Sequence, residues 1–359
     1  MKTLLLFSSS EMGGAERSLS RMAMETSLKD VEYQLATLGG EGPWSKWILS
    51  QNNIPMVFGG GFAFLALWRL VHYVRCSKTN VLYVCGSRAS LYLRLLKFTM
   101  PNVRMVHGVR WNPNSKSRLD RFVRFIERAT HPLIDAWITN SAIAKETLVK
   151  RCKIKSDNVF VIYNGLQCPK VDIPPVEDRL MEVLTVANLN KRKGYIEYLS
   201  IVKEVLKEVP EAKFVFVGHD YMNGLVQDKI KKEGLDKNVR CVGFQKDVSK
   251  WFKRARVFVL PSLRGEGCPT SILEAMSWGL PIVSYSIDGI PELVVNNVNG
   301  ILIKLGDKDR FKDAIVKLIR EPSQINGKVN DCKELVAKQF SIKKCASIHA
   351  EVLSKISSS

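Results

Sequence analysis

Short runs of consecutive apolar and β-branched residues recur along this chain, each followed by a stretch with apolar positions at helical spacing. In the first half the runs fall at residues 4–7, 32–38, 81–85, 103–107, 137–140 and 159–163; in the second they fall at 183–187, 214–217, 240–244, 257–260, 281–285 and 301–304. Strands that are apolar throughout, rather than alternating, are buried on both faces, as in parallel sheets covered by helices. Two such series in tandem predict an α/β protein with two doubly wound, Rossmann-like domains. The break between them lies at the proline-rich segment 167–175 (QCPKVDIPP), which suits neither a helix nor a central strand. The expected domains are residues 1–166 and 176–339, with a terminal helix at about 340–356 packing back on the first. Ligands of open parallel sheets bind at the carboxyl ends of the strands, so two such edges facing each other predict a cleft between the domains.

A length of 359 residues at 40.5 kDa agrees with two cores. The only long uncharged stretch, 47–68, is interrupted by Gln51, Asn52, Asn53, Pro55 and Gly59, so no transmembrane span is expected. The apolar start runs into a glycine turn and a charged helix, which argues against a signal peptide. Eight scattered cysteines, with no C-x-x-C and no Cys/His pair at zinc-ligand spacing, predict free thiols in a reducing cytosol and no bound metal. The charge changes the picture more. The chain carries a net +19, and between Arg69 and Arg128 thirteen basic residues stand against Asp120 and Glu127 alone. Such a one-sided field implies a polyanionic partner: nucleic acid, phospholipid head groups or a phosphorylated ligand.

The candidate chemistry is densest between Arg264 and Pro281 (RGEGCPTSILEAMSWGLP). A strand ends at Pro261-Ser262, a loop follows, and Pro269 suits the first position of a new helix with Thr270 and Ser271 in its first turn. Gly279 and Pro281 stop that helix. Its free N–H groups therefore point at the strand edge, an anion site by geometry. Glu266 and Glu274 bracket it. A carboxylate accepts two hydrogen bonds from a vicinal diol, so two carboxylates flanking a diphosphate site suit a nucleotide-sugar. A diphosphate also wants a cation, and Lys193, beside Gly194 at a strand-to-helix turn, is the first choice; Lys191 and Arg192 flank it. In the first half, Gly13-Gly14-Ala15-Glu16 opens the first helix and lets backbone approach phosphate or sugar, but lacks the G-x-G-x-x-G spacing of a dinucleotide site. His107 is expected where its strand ends, with Arg110 placed to hold an acceptor phosphate.

On these residues the chain resembles a retaining glycosyltransferase of family four (glycosyl transferases group 1), of the bacterial surface-polysaccharide type, with the GT-B fold. The resemblance rests on the Gly13-Gly14-Ala15-Glu16 loop, His107, Asn164-Gly165 at the domain junction, Lys193-Gly194, Val217-Gly218, Gly243-Phe244 and above all the Glu-x7-Glu spacing of Glu266 and Glu274. It implies that Glu274 holds the ribose hydroxyls and Glu266 the transferred sugar. Gly267, Cys268, Pro269, Thr270, Ser271 and Ile272 would meet sugar and phosphate through their backbone. Lys193 would neutralise the diphosphate, and Asn188 and Gly218 would line the donor site. Main chain at Gly243 and Phe244 would read the base, Gly13 and Gly14 would approach donor phosphate or acceptor, and His107 would sit beside the reacting sugar. Two departures from the family pattern stand out: Asn188 replaces the usual arginine, and Cys268 occupies the place of the usual aromatic.

The resemblance further implies sugar transfer with retention, without metal or other cofactor, from a UDP-sugar in all expectation, the departing diphosphate taking the acceptor proton. The single D-x-D, Asp307-Lys308-Asp309, reads as a helix cap. The basic excess then points to a peripheral enzyme on the inner face of the cell membrane. Its acceptor would be a lipid-linked saccharide or a lipopolysaccharide, capsule or O-antigen chain. Arg94 and Lys97 beside Tyr92, Leu95 and Phe98, and Arg121, Arg124 and Arg128 opposite an apolar face of Leu119, Phe122, Val123 and Ile126, are the expected contacts with anionic lipid. A nucleotide-sugar epimerase is the alternative within this fold. A nucleic-acid-binding protein would explain the charge but not Glu266 and Glu274, so no nucleic-acid partner is expected.

Overall fold

A computed structural model of the chain describes residues 1–25, 30–59, 63–110, 118–322 and 326–358; side chains at 63, 87, 88, 118–120, 123 and 326–331 lie outside that description, as does Lys116. The chain divides into two compact units, Met1–Gly165 with Ser341–Ser359, and Leu166–Phe340. Each is a parallel sheet wrapped by helices.

The first sheet has seven strands: β1 (Lys2–Phe7), β2 (Glu32–Thr37), β3 (Met56–Val57), β4 (Val81–Cys85), β5 (Arg104–Val109), β6 (Ala136–Thr139) and β7 (Val159–Val161), in the order β3-β2-β1-β4-β5-β6-β7. Only the two-residue edge strand β3 was invisible to the apolar pattern, because Met56-Val57 is too short to form a run. The strand order reverses between β1 and β4, which sets the handed crossovers in opposite directions. Helices α1 (Gly14–Ala23) and α2 (Pro43–Leu49) therefore cover one face, while α3 (Ala63–Cys76), α4 (Ser87–Leu95), α5 (Arg118–Thr130) and α6 (Ala142–Cys152) cover the other. The core reflects this split. Leu70 and Val74 of α3, Leu93 of α4 and Leu148 of α6 pack with Leu4, Leu82 and Trp137 on one side of the sheet.

The second sheet has six strands: β8 (Glu182–Val186), β9 (Lys213–Val217), β10 (Val239–Cys241), β11 (Val257–Leu260), β12 (Ile282–Tyr285) and β13 (Gly300–Ile303), in the order β10-β9-β8-β11-β12-β13. Its reversal lies between β8 and β11. Its helices are α7 (Tyr195–Glu208), α8 (Leu225–Lys232), α9 (Ser249–Arg254), α10 (Thr270–Ser277), α11 (Lys308–Arg320) and α12 (Asn326–Gln339). Asp307 caps α11, its Oδ1 accepting the Arg310 N–H at 3.1 Å.

The last helix, α13 (Ile342–Ser358), belongs to the first unit, where Cys345, Ala346, Leu353 and Ile356 complete the core around Leu5, Phe7 and Val106. His349 is fully buried on it and donates from Nδ1 to the Cys345 carbonyl at 2.8 Å. Burial, reinforced by the Arg110 charge and only partly opposed by that hydrogen bond, pushes its pKa down to about 3. Below the ordinary histidine pKa the unfolded chain binds a proton that the folded chain refuses. Stability is therefore whole above that value and falls as the pH drops towards 3, by about 1.4 kcal/mol per unit. Urea denaturation at pH 7, 5 and 4 should show a flatter pH response for His349→Leu than for the native chain.

Candidate active site

In the second unit the carboxyl ends of β8 and β11 carry a buried ion pair. Past β8, residues Lys191–Lys193 form a turn of 3-10 helix that ends at Gly194, whose φ of +71° favours glycine. A Cβ at Gly194 would lie 2.4 Å from the Pro261 carbonyl oxygen, so the two loops touch only because that residue is glycine. The approach brings the Lys193 ammonium into an ion pair with Glu266 Oε1, which also accepts from Ser262 Oγ at 2.6 Å; the Arg192 guanidinium lies 3.9 Å from the same oxygen. Burial alone would raise the Glu266 pKa, but Lys193, Arg192 and the Ser262 hydroxyl hold it below the carboxylate range. Burial pulls the Lys193 ammonium down, with Glu266 opposing. The loop is pinned from β12: Asp288 Oδ2 accepts the N–H groups of Gly265 at 2.6 Å and Glu266 at 3.1 Å.

Helix α10 begins four residues after Glu266, with Pro269 as its N-cap and Thr270 and Ser271 in its first turn. Glu274 is half-buried one turn further in. The helix stops with Leu280 N–H bonded to the Ala275 carbonyl and Gly279 N–H to that of Met276 around a left-handed Gly279, φ +65°. At the neighbouring strand ends, Asn188 Oδ1 accepts the His219 N–H at 3.2 Å, Gly218 N–H donates to the Gly243 carbonyl at 3.0 Å, and the rings of His219 and Phe244 stack at 4.4 Å. One edge of one sheet thus carries a buried carboxylate, a buried ammonium, a helix N-terminus and an aromatic platform.

In the first unit, Gly13 and Gly14 follow β1 at its switch point. The Glu16 carboxylate folds back there to accept backbone N–H groups of Gly13 and Glu16; a Cβ at Gly13 would lie 2.5 Å from Glu16 Oε2. Burial raises the Glu16 pKa while Arg110 lowers it. The three guanidinium nitrogens of Arg110 are buried and have no hydrogen-bond partner among the described residues; the Tyr83 hydroxyl close by is likewise unpartnered. His107 is not at a strand end. β5 continues to Val109, and the ring is buried on the helix-covered face, Nδ1 3.0 Å from Glu127 Oε1 and 3.3 Å from an Arg94 nitrogen. Arg94 in turn pairs with Glu127 and donates to Thr130 Oγ1 at 2.6 Å and Ser90 Oγ at 3.2 Å.

Residues 12–168 match the family described as Glycosyltransferase Family 4, and residues 181–321 match Glycosyl transferases group 1. The whole chain superposes on the crystal structure of Anabaena HepE in complex with UDP-glucose with a TM-score of 0.84, at 20% identity, covering 99% of this chain and 100% of that one. The chain belongs to the GT-B glycosyltransferases. This glycosyltransferase is 27% identical, over 67% of its length, to the UDP-Gal:alpha-D-GlcNAc-diphosphoundecaprenol alpha-1,3-galactosyltransferase of Escherichia coli, and the match spans 66% of that enzyme. A further structural neighbour is the lipopolysaccharide outer core galactosyltransferase WaaB in its apo form, with a TM-score of 0.74 and 18% identity, covering 99% of this chain and all of the other.

Within its second unit the glycosyltransferase gathers Asn188, Lys193, Gly218, Gly243, Phe244, Glu266, Gly267, Cys268, Pro269, Thr270, Ser271, Ile272 and Glu274 along the carboxyl edge of the sheet. Its first unit holds Gly13, Gly14 and Arg110 at the corresponding edge, and His107 within β5. Sequence reasoning missed four supporting groups: Ser262 and Asp288 around Glu266, and Glu127 and Arg94 around His107. The spacing held a clue to the last pair. Ser90 and Arg94, one turn apart, interleave with Ala89 and Leu93, and all four are buried. Two expectations for lipid-facing cations are corrected. Arg94 is sealed in its ion pair with Glu127, and Lys97 is engaged with Asp135 at 2.6 Å. On α5, Phe122 is exposed rather than packed, because the helix turns Glu127 inward to meet His107 and Arg94; Leu119 and Val123 lie outside the described side chains.

Proposed function

We propose that this glycosyltransferase moves a sugar from a UDP-sugar, with retention and without a metal or other cofactor, to a lipid-linked saccharide or a growing lipopolysaccharide or capsule chain. The observation that carries the reading is the meeting of Lys193 and Glu266 where β8 and β11 diverge, the switch point at which open parallel sheets bind ligands. Residues 176–339 are the donor domain and residues 1–166 the acceptor domain. Glu274 holds the ribose, Glu266 the transferred sugar, and the start of α10 the phosphates. Lys193 answers the charge that develops on the diphosphate as the bond to the anomeric carbon breaks. The acceptor oxygen bonds that carbon on the same face and gives its proton to the departing phosphate oxygen. Phe244 and the Gly218 and Gly243 backbone frame the base.

On the acceptor side, the Arg110 guanidinium, whose nitrogens have no hydrogen-bond partner among the described residues, supports recognition of a phosphate-bearing acceptor, with Gly13 and Gly14 leaving room for it. His107, its Nδ1–H donating to Glu127, is the imidazole assigned by the family resemblance to the neighbourhood of the reacting sugar. A lipid-linked acceptor places the enzyme at the cytoplasmic face of a membrane, held there by the positive field of its first unit; the E. coli relative and the WaaB neighbour have names in keeping with such acceptors. No helix among the described residues is long and apolar enough to cross a membrane.

Thermal-shift measurements with a panel of UDP- and GDP-sugars test the donor. A UDP-sugar at a hundredfold excess over its Kd should add about 2.7 kcal/mol to the folded state, and Glu274→Ala should diminish that gain and raise the donor KM. A panel in which no nucleotide-sugar stabilises the protein rejects the proposal.

A further inference from the structure

The helical layer formed by α3, α4 and α5 exposes bulky apolar side chains in pairs at helical spacing. Phe64 and Trp68 lie one turn apart on α3, Leu95 and Phe98 straddle the end of α4, and Phe122 and Phe125 lie one turn apart on α5. Their exposures run from 59% to 78%; Leu65 of α3 and Tyr92 of α4 are exposed beside them, and elsewhere in the unit only the separate residues Leu49 and Ile54 are comparably exposed among the described large apolar side chains. The three helices are neighbours on one face of the sheet. Arg94 of α4 binds Glu127 and Thr130 of α5, and Arg75 of α3 donates to the Thr99 carbonyl at 2.7 Å, just past α4. Isolated exposed apolar residues are ordinary; three matched pairs on one helical layer are not.

Charge selects the occupant. Arg69, Arg75, Arg121 and Arg128 are exposed on the same helices. Neither α3 nor α4 contains an acidic residue, and Glu127 of α5 is buried; the one other acidic residue of these helices, Asp120 on α5, lies outside the described side chains, so basic residues outnumber acidic ones on this layer. A protein partner would have to be uniformly acidic around an apolar centre. A bilayer with anionic head groups supplies that pattern everywhere, with tryptophan and arginine side chains at the level of the head groups.

We infer that the α3–α4–α5 face is a membrane-docking surface that inserts these six side chains into the acyl boundary of an anionic leaflet, with the arginines at the phosphates. The inference rests on the proposed lipid-linked acceptor and adds that attachment is by apolar insertion, not by charge alone. The two separate experimentally, because charge–charge attraction is screened by salt and insertion is not.

The test is co-sedimentation of the full chain with phosphatidylglycerol/phosphatidylcholine vesicles at about 50 mM and about 500 mM NaCl. Binding at low salt that largely persists at high salt is expected, together with a loss of at least about tenfold in high-salt partitioning for Trp68→Ser/Phe98→Ser/Phe125→Ser. That variant should keep the native melting temperature and turnover with a water-soluble acceptor. A second readout needs no multiple variant: brominated lipid should quench a component of tryptophan emission that Trp68→Phe lacks. Binding that vanishes at high salt, or no quenching difference with Trp68→Phe, overturns the insertion while leaving a lipid-linked acceptor in place. Absence of binding even at low salt overturns both, and UDP-sugar stabilisation remains as an independent check on the donor site.

Discussion

Lys193→Ala should retain donor binding but lose turnover by about two to three orders of magnitude, the scale seen when one group that stabilises transition-state charge is removed. The expectation follows from where the ammonium sits. It is buried, paired with Glu266, and positioned by the close contact of Gly194 with Pro261. A side chain held so firmly needs no reorganisation when negative charge appears beside it. The same substitution leaves the Glu266 carboxylate buried with only Ser262 and the more distant Arg192, and breaking one half of a buried pair costs about 3–5 kcal/mol. Stability and turnover must therefore be measured on Lys193→Ala, Glu266→Gln and the double variant. The double variant should regain much of the lost stability and none of the lost activity. Turnover of Lys193→Ala at native rates, read as UDP release, would remove these residues from the reaction.

Glu127→Ala is expected to produce the largest loss of stability in the first unit, again about 3–5 kcal/mol, because it strands the buried Arg94 guanidinium. Burial by itself would raise the Glu127 pKa; His107 and Arg94 outweigh it and hold the carboxyl down at about 2. The stabilisation is thus complete above the ordinary glutamate pKa and is lost as the pH falls through 2. Urea melts should show the gap between native chain and variant at its widest near neutral pH and narrowing below about 4.5. Glu127→Gln adds a sharper reading. It preserves the shape of the contact with His107 but removes the charge that fixes the imidazole, so kcat should fall further than donor KM changes.

The fold was legible because both sheets are made of strands buried on two faces, and an unbroken apolar run as short as 257–260 fits a central strand better than a helix. Charged side chains that go inside were harder to see. Arg94 reads as a lipid-facing cation because it is charged and sits beside apolar residues on a helix, and Glu127 reads only as one of two acids in a basic segment; their burial depends on His107 meeting them from a strand remote in sequence. That three-way contact outweighs the packing of Phe122, so α5 presents a different face from the one its apolar residues suggest. The Glu266 loop was visible from its glycines and its Pro269 stop, whereas its support by Asp288, a non-glycine residue at φ +47°, was not. Local signals place a residue on an element, and long-range pairing decides which way it faces.

The return of α13 to the first unit makes that unit discontinuous: residues 1–165 lack the Cys345, Ala346, Leu353 and Ile356 side chains that close one side of their sheet. During synthesis the amino-terminal half must wait, its apolar flank uncovered, until α13 has also emerged, whereas Leu166–Phe340 has all its own parts much sooner after they emerge. The order of maturation is then the reverse of the order of translation, and the uncovered flank of the early half is where a chaperone would be needed.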